Sequence, residues 1–311
     1  MSSFLTLSIV QSALELGCIY ALVALALFVS FSLLNIADLS TDGCFTLGCA
    51  VGAVVTMAGH PFLAFFAAMA AGVASGFITA FLQTKMGVQS ILAGIIVNTG
   101  LYTINLMVMG FSSNINLFNT NTIFSMAKEL SESEVYRSWY KIIIVVCIVL
   151  LVCVFLAWFL NTSLGLSIRA TGDNEYMVRA SSINPGFTIT VGLCVASAMT
   201  ALSGAVLGQY QKSCDINYGT GQVTIALASL IIGESLIKKG SIFKRVIFVV
   251  LGSCLYRFIV AIALRMNLPA EALKLVSAVI VAIAISFPYL KEKAGFYKHR
   301  RDVMRQASKN A

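Results

Sequence analysis

The sequence predicts an all-α membrane protein, a polytopic bundle of about eight to ten transmembrane helices. Hydrophobic residues make up 59% of the 311 residues and charged residues only 11%, whereas a soluble domain has about 25% charged residues. The mean hydropathy is +0.90. Apolar stretches of about 18 or more residues recur along the chain, and each is long enough to cross a hydrocarbon layer about 30 Å thick.

Nine apolar segments are predicted in order along the chain. Two of them, 43–59 and 222–237, are short for a complete crossing, which predicts half-helices or re-entrant elements. The nine segments are 8–34, 43–59, 62–82, 90–109, 141–160, 187–209, 222–237, 246–264 and 271–289.

A faint internal repeat relates the two short segments. GCFTLGCA, from Gly43, aligns with GQVTIALA, from Gly221, so that Thr46 matches Thr224 and Ala50 matches Ala228. The repeat predicts two related halves, about 1–140 and 141–290, within a transmembrane domain 1–290. The alternative is a chance similarity between two apolar runs that are rich in small residues.

Three GxxxG pairs predict places where helix backbones approach closely, because packing in lipid relies on small residues. They are Gly48 with Gly52, Gly72 with Gly76, and Gly204 with Gly208.

The positive charges predict the orientation in the membrane. The net charge of +8 comes largely from loops and from the basic tail 291–311, and the loop GESLIKKGSIFKR carries four further cations. Under the positive-inside rule both are expected to be cytoplasmic, and this pattern is preferred to nucleic-acid binding. The side of the N-terminus stays open, because it depends on whether every short segment crosses the membrane. The expected location is the plasma membrane.

Metal, cofactor and catalytic sites are not expected. Seven of the eight cysteines lie in apolar runs and none forms a CxxC pair, so they are interpreted as small buried hydrophobic residues. His60 and His299 are the two histidines, which makes a histidine-based metal site improbable.

Charges at membrane depth cost on the order of 3 kcal/mol each on insertion scales, so each one needs a physical reason. For Asp38 and Asp42, followed by Gly43, the favoured interpretation is a hinge at a helix break, in which Asp42 caps the helix that starts at Gly43. Contact with a solute or an ion, or a plain interfacial loop, are the alternatives. If Asp42 acts as a cap, Asp42→Asn is expected to be largely tolerated. The other candidates at this depth are Glu15, Glu234, Arg257, Asn98 and Asn105.

The segment 161–185 is charged and short, and it is predicted to form a cytoplasmic helical element between two membrane spans, with a turn at Gly172 and a new helix at Pro185. Its pattern favours a docking helix for a cytosolic partner over an ordinary solvated loop. The candidate coupling residues are Arg169, Gly172, Asp173, Asn174, Arg179 and Ala180.

RATGDNEYMVRASSINP and the helix that ends in ALSGAVLGQY resemble the coupling segment and following helix of ABC importer permeases of the branched-chain amino acid and ribose type. The opening stretch GCIYALVALALFVSFSLLNIADLSTDGCFTLGCAVGA resembles the first helix and polar turn of the same family. One departure is that many members carry a His-containing turn where this chain has NIADLSTDG. This variant resembles a subgroup associated with amino acid uptake, aromatic amino acids among them.

The resemblance implies a permease homodimer that forms the path for a small-molecule solute. It also implies two separate ATP-binding ABC subunits docked on the coupling segment, and an extracytoplasmic substrate-binding protein. The chain has no G-x-x-x-x-G-K-[ST] motif, so ATP hydrolysis is assigned to the partner subunit.

Two other classes of protein compete with this interpretation. An ion-coupled secondary transporter would use Asp38, Asp42 or Glu15 to bind protons or sodium. A membrane enzyme is disfavoured, because the chain lacks histidine clusters and a nucleophile elbow.

Overall fold

The computed structural model describes residues 7–129, 134–237 and 240–265, with isolated positions between 275 and 286. These residues form eleven α-helices and two short strands. The helices are α1 (Leu7–Leu27), α2 (Thr41–Met57), α3 (Pro61–Thr84), α4 (Ser90–Val108), α5 (Ile123–Glu129), α6 (Glu134–Leu160), α7 (Ser163–Asp173), α8 (Glu175–Ala180), α9 (Pro185–Gln211), α10 (Gln222–Leu236) and α11 (Ile242–Arg265). A π-helical turn, Phe28–Leu33, continues α1, and the strands are β1 (Asn114–Asn116) and β2 (Ser213–Asp215).

Six helices are long and apolar enough to cross a membrane: α1 with its π-helical turn, α3, α4, α6, α9 and α11. The two short predicted segments are also helices, α2 with 17 residues and α10 with 15. At 1.5 Å per residue they are about 26 and 22 Å long, less than the hydrocarbon thickness of about 30 Å. The all-α polytopic bundle is therefore confirmed. The ninth predicted segment, 271–289, and the tail 291–311 lie almost wholly outside the described residues.

The bundle has two distinct ends. At one end, which we call the α7–α8 end, Gly172 of α7 packs against the backbone of Leu33 at the end of the π-helical turn. At the other, the β1–β2 end, the two strands pair antiparallel and bring the α4–α5 connection onto the α9–α10 connection. The polypeptide runs from the β1–β2 end to the α7–α8 end in α1, and in the opposite direction in α9.

The helix lengths recur in the same order. α1 with its π-helical turn covers 27 residues, as α9 does, and α3 and α11 each have 24 residues. Each long helix of a pair is separated from the next by one of the short helices, α2 or α10. This order is what two related halves would produce, and the duplication itself stays a prediction.

α1 and α9 form the centre of the bundle. The apolar window of α1 is 83% buried and that of α9 is 67% buried, whereas those of α3, α4 and α6 are only 28–33% buried. The Ser203 hydroxyl donates to the Ile19 carbonyl across the contact between α1 and α9, at 2.7 Å. The outer helices therefore expose most of their apolar surface on the outside of the bundle.

All three GxxxG pairs lie where α2, α3 and α9 meet. A Cβ at Gly48 would overlap the main chain of Ala201, and one at Gly204 would overlap the Phe45 carbonyl. Gly72 and Gly76 both pack against Ser197. Close backbone approach at the predicted glycines is thus confirmed, and it holds α2 firmly beside the central helix α9.

Candidate functional site

The two short helices begin at the same place inside the bundle and point toward opposite ends. α10 ends at the α7–α8 end, where Glu234 hydrogen-bonds Ser32 of the π-helical turn. α2 ends at the β1–β2 end, where Thr56 accepts a hydrogen bond from Gln209 near the end of α9. Since each helix is too short to cross alone, their N-termini meet in the interior of the membrane-spanning region.

Asp42 joins these two N-termini. Its Oδ2 accepts the amide of Gly221 at 2.9 Å, and its Oδ1 accepts the amide of Val223 at 2.8 Å. A carboxylate at a helix N-terminus satisfies amides that lack an intrahelical partner and complements the helix dipole. Asp42 therefore caps α10, although it belongs to α2.

This assignment corrects the predicted role of Asp42. α2 begins at Thr41 with Ser40 as its N-cap residue, so Asp42 lies in the first turn and does not cap its own helix. The connection before α2 is organised by Asp38, whose Oδ1 accepts the Ser40 amide at 2.9 Å. Each of the two acids thus supports the start of one short helix: Asp38 supports the turn that leads into α2, and Asp42 supports α10.

The α9–α10 connection packs tightly onto the start of α2. The Thr46 hydroxyl accepts the Gly219 amide at 3.1 Å, and a Cβ at Gly219 would collide with the Asp42 carbonyl. Irregular backbone at membrane depth is tolerated where protein covers it or where it lines an aqueous cavity. The α9–α10 connection meets both conditions: α2 covers it on one side, and it forms one wall of a cleft.

This cleft has a volume of about 430 Å³ and lies where the two short helices meet. Predicted site residues Asp42, Gly43 and Asn98 line it, with Asn105, whose side-chain amide donates to the Gly43 carbonyl at 3.1 Å. The lining residues that the sequence patterns did not identify are Thr46, Thr99, Tyr102, Thr103, Ile216, Gly219 and Thr220.

The cleft opens sideways along α4. Thr99, Tyr102 and Thr103 are exposed in the middle of this apolar helix, Tyr102 with 53% of its surface accessible. A spacing of three and four residues puts the three side chains on one face. The spacing was visible in the sequence, but the signal was weak because threonine and tyrosine are common in apolar helices and carry no charge.

Glu15 and Asp38, the other predicted path residues, do not line the cleft. Glu15 lies near the β1–β2 end, where its carboxylate accepts hydrogen bonds from the Tyr210 hydroxyl at 2.7 Å and from Gln11 at 3.1 Å. Asp38 is buried in the turn before α2. The sequence argument that an acid at membrane depth needs a partner holds for Glu15, Asp38 and Asp42. It did not predict which of these acids lie in the same site.

The two remaining charged candidates have separate partners. Glu234 forms an ion pair with Arg245 at 2.6 Å near the α7–α8 end. The Arg257 guanidinium lies over the Tyr20 ring, with its central carbon 3.6 Å from the ring centroid. Neither residue lines the cleft.

The predicted coupling segment forms two short helices, α7 and α8, rather than a single element. The break lies at Asn174, whose side chain caps α8 by accepting the Met177 amide at 3.1 Å. Gly172, predicted as a turn, is helical and faces the end of α1. Pro185 begins α9 as predicted.

The exposed surface of this segment lies mainly on α8. Tyr176 is 85% exposed and Met177 is 65% exposed, and neither is among the candidate coupling residues predicted from the sequence. The predicted coupling residues divide by position: Asp173, Asn174, Arg179 and Ala180 are exposed, whereas Arg169 and Gly172 are partly buried.

Comparisons with known proteins identify the family of the chain. Residues 9–285 match the family model described as "Branched-chain amino acid transport system / permease component". The chain is 31% identical to "Tyrosine transport system permease protein" of Clostridioides difficile (strain R20291), over 87% of this chain and 88% of that protein. It is 27% identical to "Uncharacterized protein RP368" of Rickettsia prowazekii (strain Madrid E), over 90% of this chain and 98% of that protein. No solved structure matches the chain significantly. The family model covers most of the chain. The chain therefore belongs to the family of permease components of branched-chain amino acid transport systems, and it is a multi-pass membrane subunit of an ABC-type amino acid importer.

Proposed function

We propose that this permease conducts an aromatic amino acid, tyrosine or a close analogue, through the cleft where α2 and α10 meet. The observation that carries the proposal is a polar cleft of about 430 Å³ at the junction of two half-helices. Hydroxyl and amide groups line it beside Asp42, which suits a polar zwitterion. The tyrosine assignment is supported by the name of the 31% identical relative.

We propose further that two copies of the chain assemble with their α4 faces together. Thr99, Tyr102 and Thr103 lie exposed in the middle of a membrane-spanning helix. Polar side chains at this depth usually face a bundle interior or an aqueous cavity rather than lipid. A second copy would cover them, and the cleft would then open into a path between the two subunits.

We propose a different partner protein for each end of the bundle. The α7–α8 end carries Lys85, Arg169, Arg179, Lys244 and Arg245 in its connections and helix ends, which favours a cytoplasmic position. A separate ATP-binding subunit would dock there on exposed Tyr176 and Met177. An extracytoplasmic substrate-binding protein would deliver the solute to the β1–β2 end, and the described start of α1 would lie on that side.

The inverted arrangement supports a duplicated origin for the path. α1 with its turn, α2 and α3 recur as α9, α10 and α11 with opposite direction, and each short helix enters from a different side. Inverted repeats with broken helices place a solute site near the middle of the membrane, at the interface of the repeats. The cleft beside Asp42 occupies this position between α2 and α10.

Uptake in proteoliposomes tests the proposed function. The permease, its ATP-binding subunit and its binding protein are reconstituted, and uptake of labelled tyrosine is measured with leucine as the comparison. We expect tyrosine uptake that requires ATP, stops with vanadate and persists when ionophores collapse the ion gradients. Uptake that survives vanadate but collapses with the gradient would instead establish an ion-coupled secondary transporter.

Cross-linking tests the proposed contact between α4 helices. The exposed or half-exposed thiols Cys147, Cys194 and Cys254 are first replaced by alanine. In this background, Tyr102→Cys is expected to give a dimer with a short bis-maleimide, because the two α4 faces meet. The control is Leu151→Cys on α6, whose native residue is 68% exposed in the middle of another membrane-spanning helix. Equal cross-linking of both variants, or of neither, would contradict this dimer.

A further inference from the structure

A polar cluster at the α7–α8 end connects α1, through its π-helical turn, with α10 and α11. The Ser32 hydroxyl donates to Glu234 Oε1 at 2.6 Å, and Arg245 Nη2 donates to Ser32 Oγ at 2.9 Å and to Glu234 Oε1 at 2.6 Å. Ser32 lies in the π-helical turn, Glu234 near the end of α10 and Arg245 in the first turn of α11. We call these three residues the Ser32–Glu234–Arg245 cluster.

The part of α1 that this cluster holds is irregular. The amide of Leu34 donates to the Val29 carbonyl at 3.1 Å and that of Ile36 to the Ser30 carbonyl at 2.8 Å, so the hydrogen bonds skip more residues than in an α-helix. Short π-helical turns are rare and occur frequently at functional sites. Arg245 holds this turn at two points, because its guanidinium also lies 4.9 Å from the centroid of the buried Phe28 ring.

The same turn touches the coupling segment on another side. Gly172 of α7 lies so close to the Leu33 carbonyl that a Cβ would collide with it. A displacement of α7 therefore cannot be absorbed by a side chain at this point and must move the backbone of the turn. Ser32 directly precedes Leu33 in the chain, and its hydroxyl is the group that contacts Glu234.

α10 then connects the cluster to the cleft. α10 and α11 pack backbone to backbone, since Gly233 lies against Val249 and Gly252 against Ser229. The fifteen residues of α10 span about 22 Å as a rigid helix, and its first amides are held by Asp42. A shift at Glu234 thus reaches the residues that line the cleft.

We propose that the Ser32–Glu234–Arg245 cluster transmits movement of α7 to α10, and so links the docked ATP-binding subunit to the opening of the cleft. These are positioning residues, since none of them lines the cleft. The inference rests on the proposed function, because it requires an ATP-binding subunit on the α7–α8 end. Nearer the β1–β2 end, the Ser253 hydroxyl of α11 donates to the Gly17 carbonyl of α1 at 2.8 Å, so the two helices are also joined at a point away from the cluster.

The test separates coupling from docking. In the reconstituted complex we measure three quantities: ATP-binding subunit retained per permease, ATP hydrolysis, and solute transported per ATP. For Glu234→Gln we expect retained stoichiometry and continued hydrolysis, with transport per ATP reduced about tenfold, the loss expected from one charge-assisted hydrogen bond. The milder Ser32→Ala should lower transport per ATP as well, since it removes the hydrogen bonds to the π-helical turn but leaves the ion pair and the contact of Arg245 with Phe28 intact.

Matched variants complete the design. Glu129→Gln and Ser112→Ala remove an exposed carboxylate and an exposed hydroxyl in the α4–α6 region and should transport as the unmodified chain does. The exchange Glu234→Arg with Arg245→Glu should restore part of the lost coupling. Normal transport per ATP in both Ser32→Ala and Glu234→Gln would overturn the inference, as would a loss of activity explained by lower thermal stability alone.

Failure of docking is recognised by a separate variant. The double substitution Tyr176→Ala with Met177→Ala should release the ATP-binding subunit, and unchanged retention of that subunit would contradict the proposed docking surface.

Discussion

Asp42→Ala is expected to unfold the start of α10 and to abolish transport. The substitution leaves the amides of Gly221 and Val223 without an acceptor in the interior of the membrane-spanning region. A lost N-cap costs about 1 kcal/mol in water, and an unsatisfied backbone group away from water costs more, so we expect a loss of about 3 kcal/mol in unfolding free energy. The purified variant should unfold at a lower temperature in detergent, and tyrosine uptake should fall to background.

Asp42→Asn distinguishes the observed cap from the one predicted from sequence. An asparagine side chain offers one carbonyl oxygen, whereas Asp42 uses both carboxylate oxygens on different amides. We therefore expect Asp42→Asn to be damaging too, contrary to the expectation for a simple cap of α2. Asp215→Asn is the matched control, because Asp215 accepts a single amide, that of Asn217, in an exposed turn. Wild-type stability and uptake of Asp42→Asn would contradict the role of Asp42 as the bridge between the two helices.

Gly48→Ala is expected to separate α2 from α9 and to lower stability by at least about 3 kcal/mol, at the upper end of the usual cost of overpacking. The added methyl group would overlap backbone atoms of Ala201, which cannot rotate away as a side chain would. The same change at Gly204 should have a similar effect from the other helix, since its neighbour is the Phe45 carbonyl. Thermal unfolding of the purified chain and the yield of folded protein measure the effect.

Gly100→Ala provides the matched control for these variants. Gly100 lies within α4 and no atom lies within 4 Å of the position that its Cβ would occupy. The exchange should therefore be neutral or stabilising by up to about 1 kcal/mol, because alanine is the better helix former. If Gly48→Ala and Gly100→Ala had the same stability, close backbone approach would not be what holds α2 in place.

The helices were predictable from the sequence because helix formation in a membrane depends on residues near each other in the chain. Long apolar runs must form helices to satisfy their own backbone groups, and the two short runs stood out by length alone. The GxxxG pairs were found in the same way, from local spacing, and all three lie at close helix contacts. The start of α9 at Pro185 also follows from a local rule.

The errors concern residues whose partners are distant in the chain. Asp42 caps a helix whose first amides lie 179 and 181 residues away, so its own neighbourhood suggested the wrong helix. Gly172 was interpreted as a turn, whereas it is a contact point with Leu33. Glu15 was grouped with Asp42 because both are acids at membrane depth, but helix direction puts Glu15 near the β1–β2 end.

The amino-acid sequence by itself determined that the chain is an α-helical membrane protein with two short helices, where the glycine contacts lie, and which few acids need partners. Only the tertiary structure decided which partners those acids have and which polar groups share the cleft. The physical reason is the difference between the two kinds of interaction. Backbone hydrogen bonds within a helix link residues four apart, whereas the cap of α10 and the walls of the cleft bring together groups from α2, α4 and the α9–α10 connection.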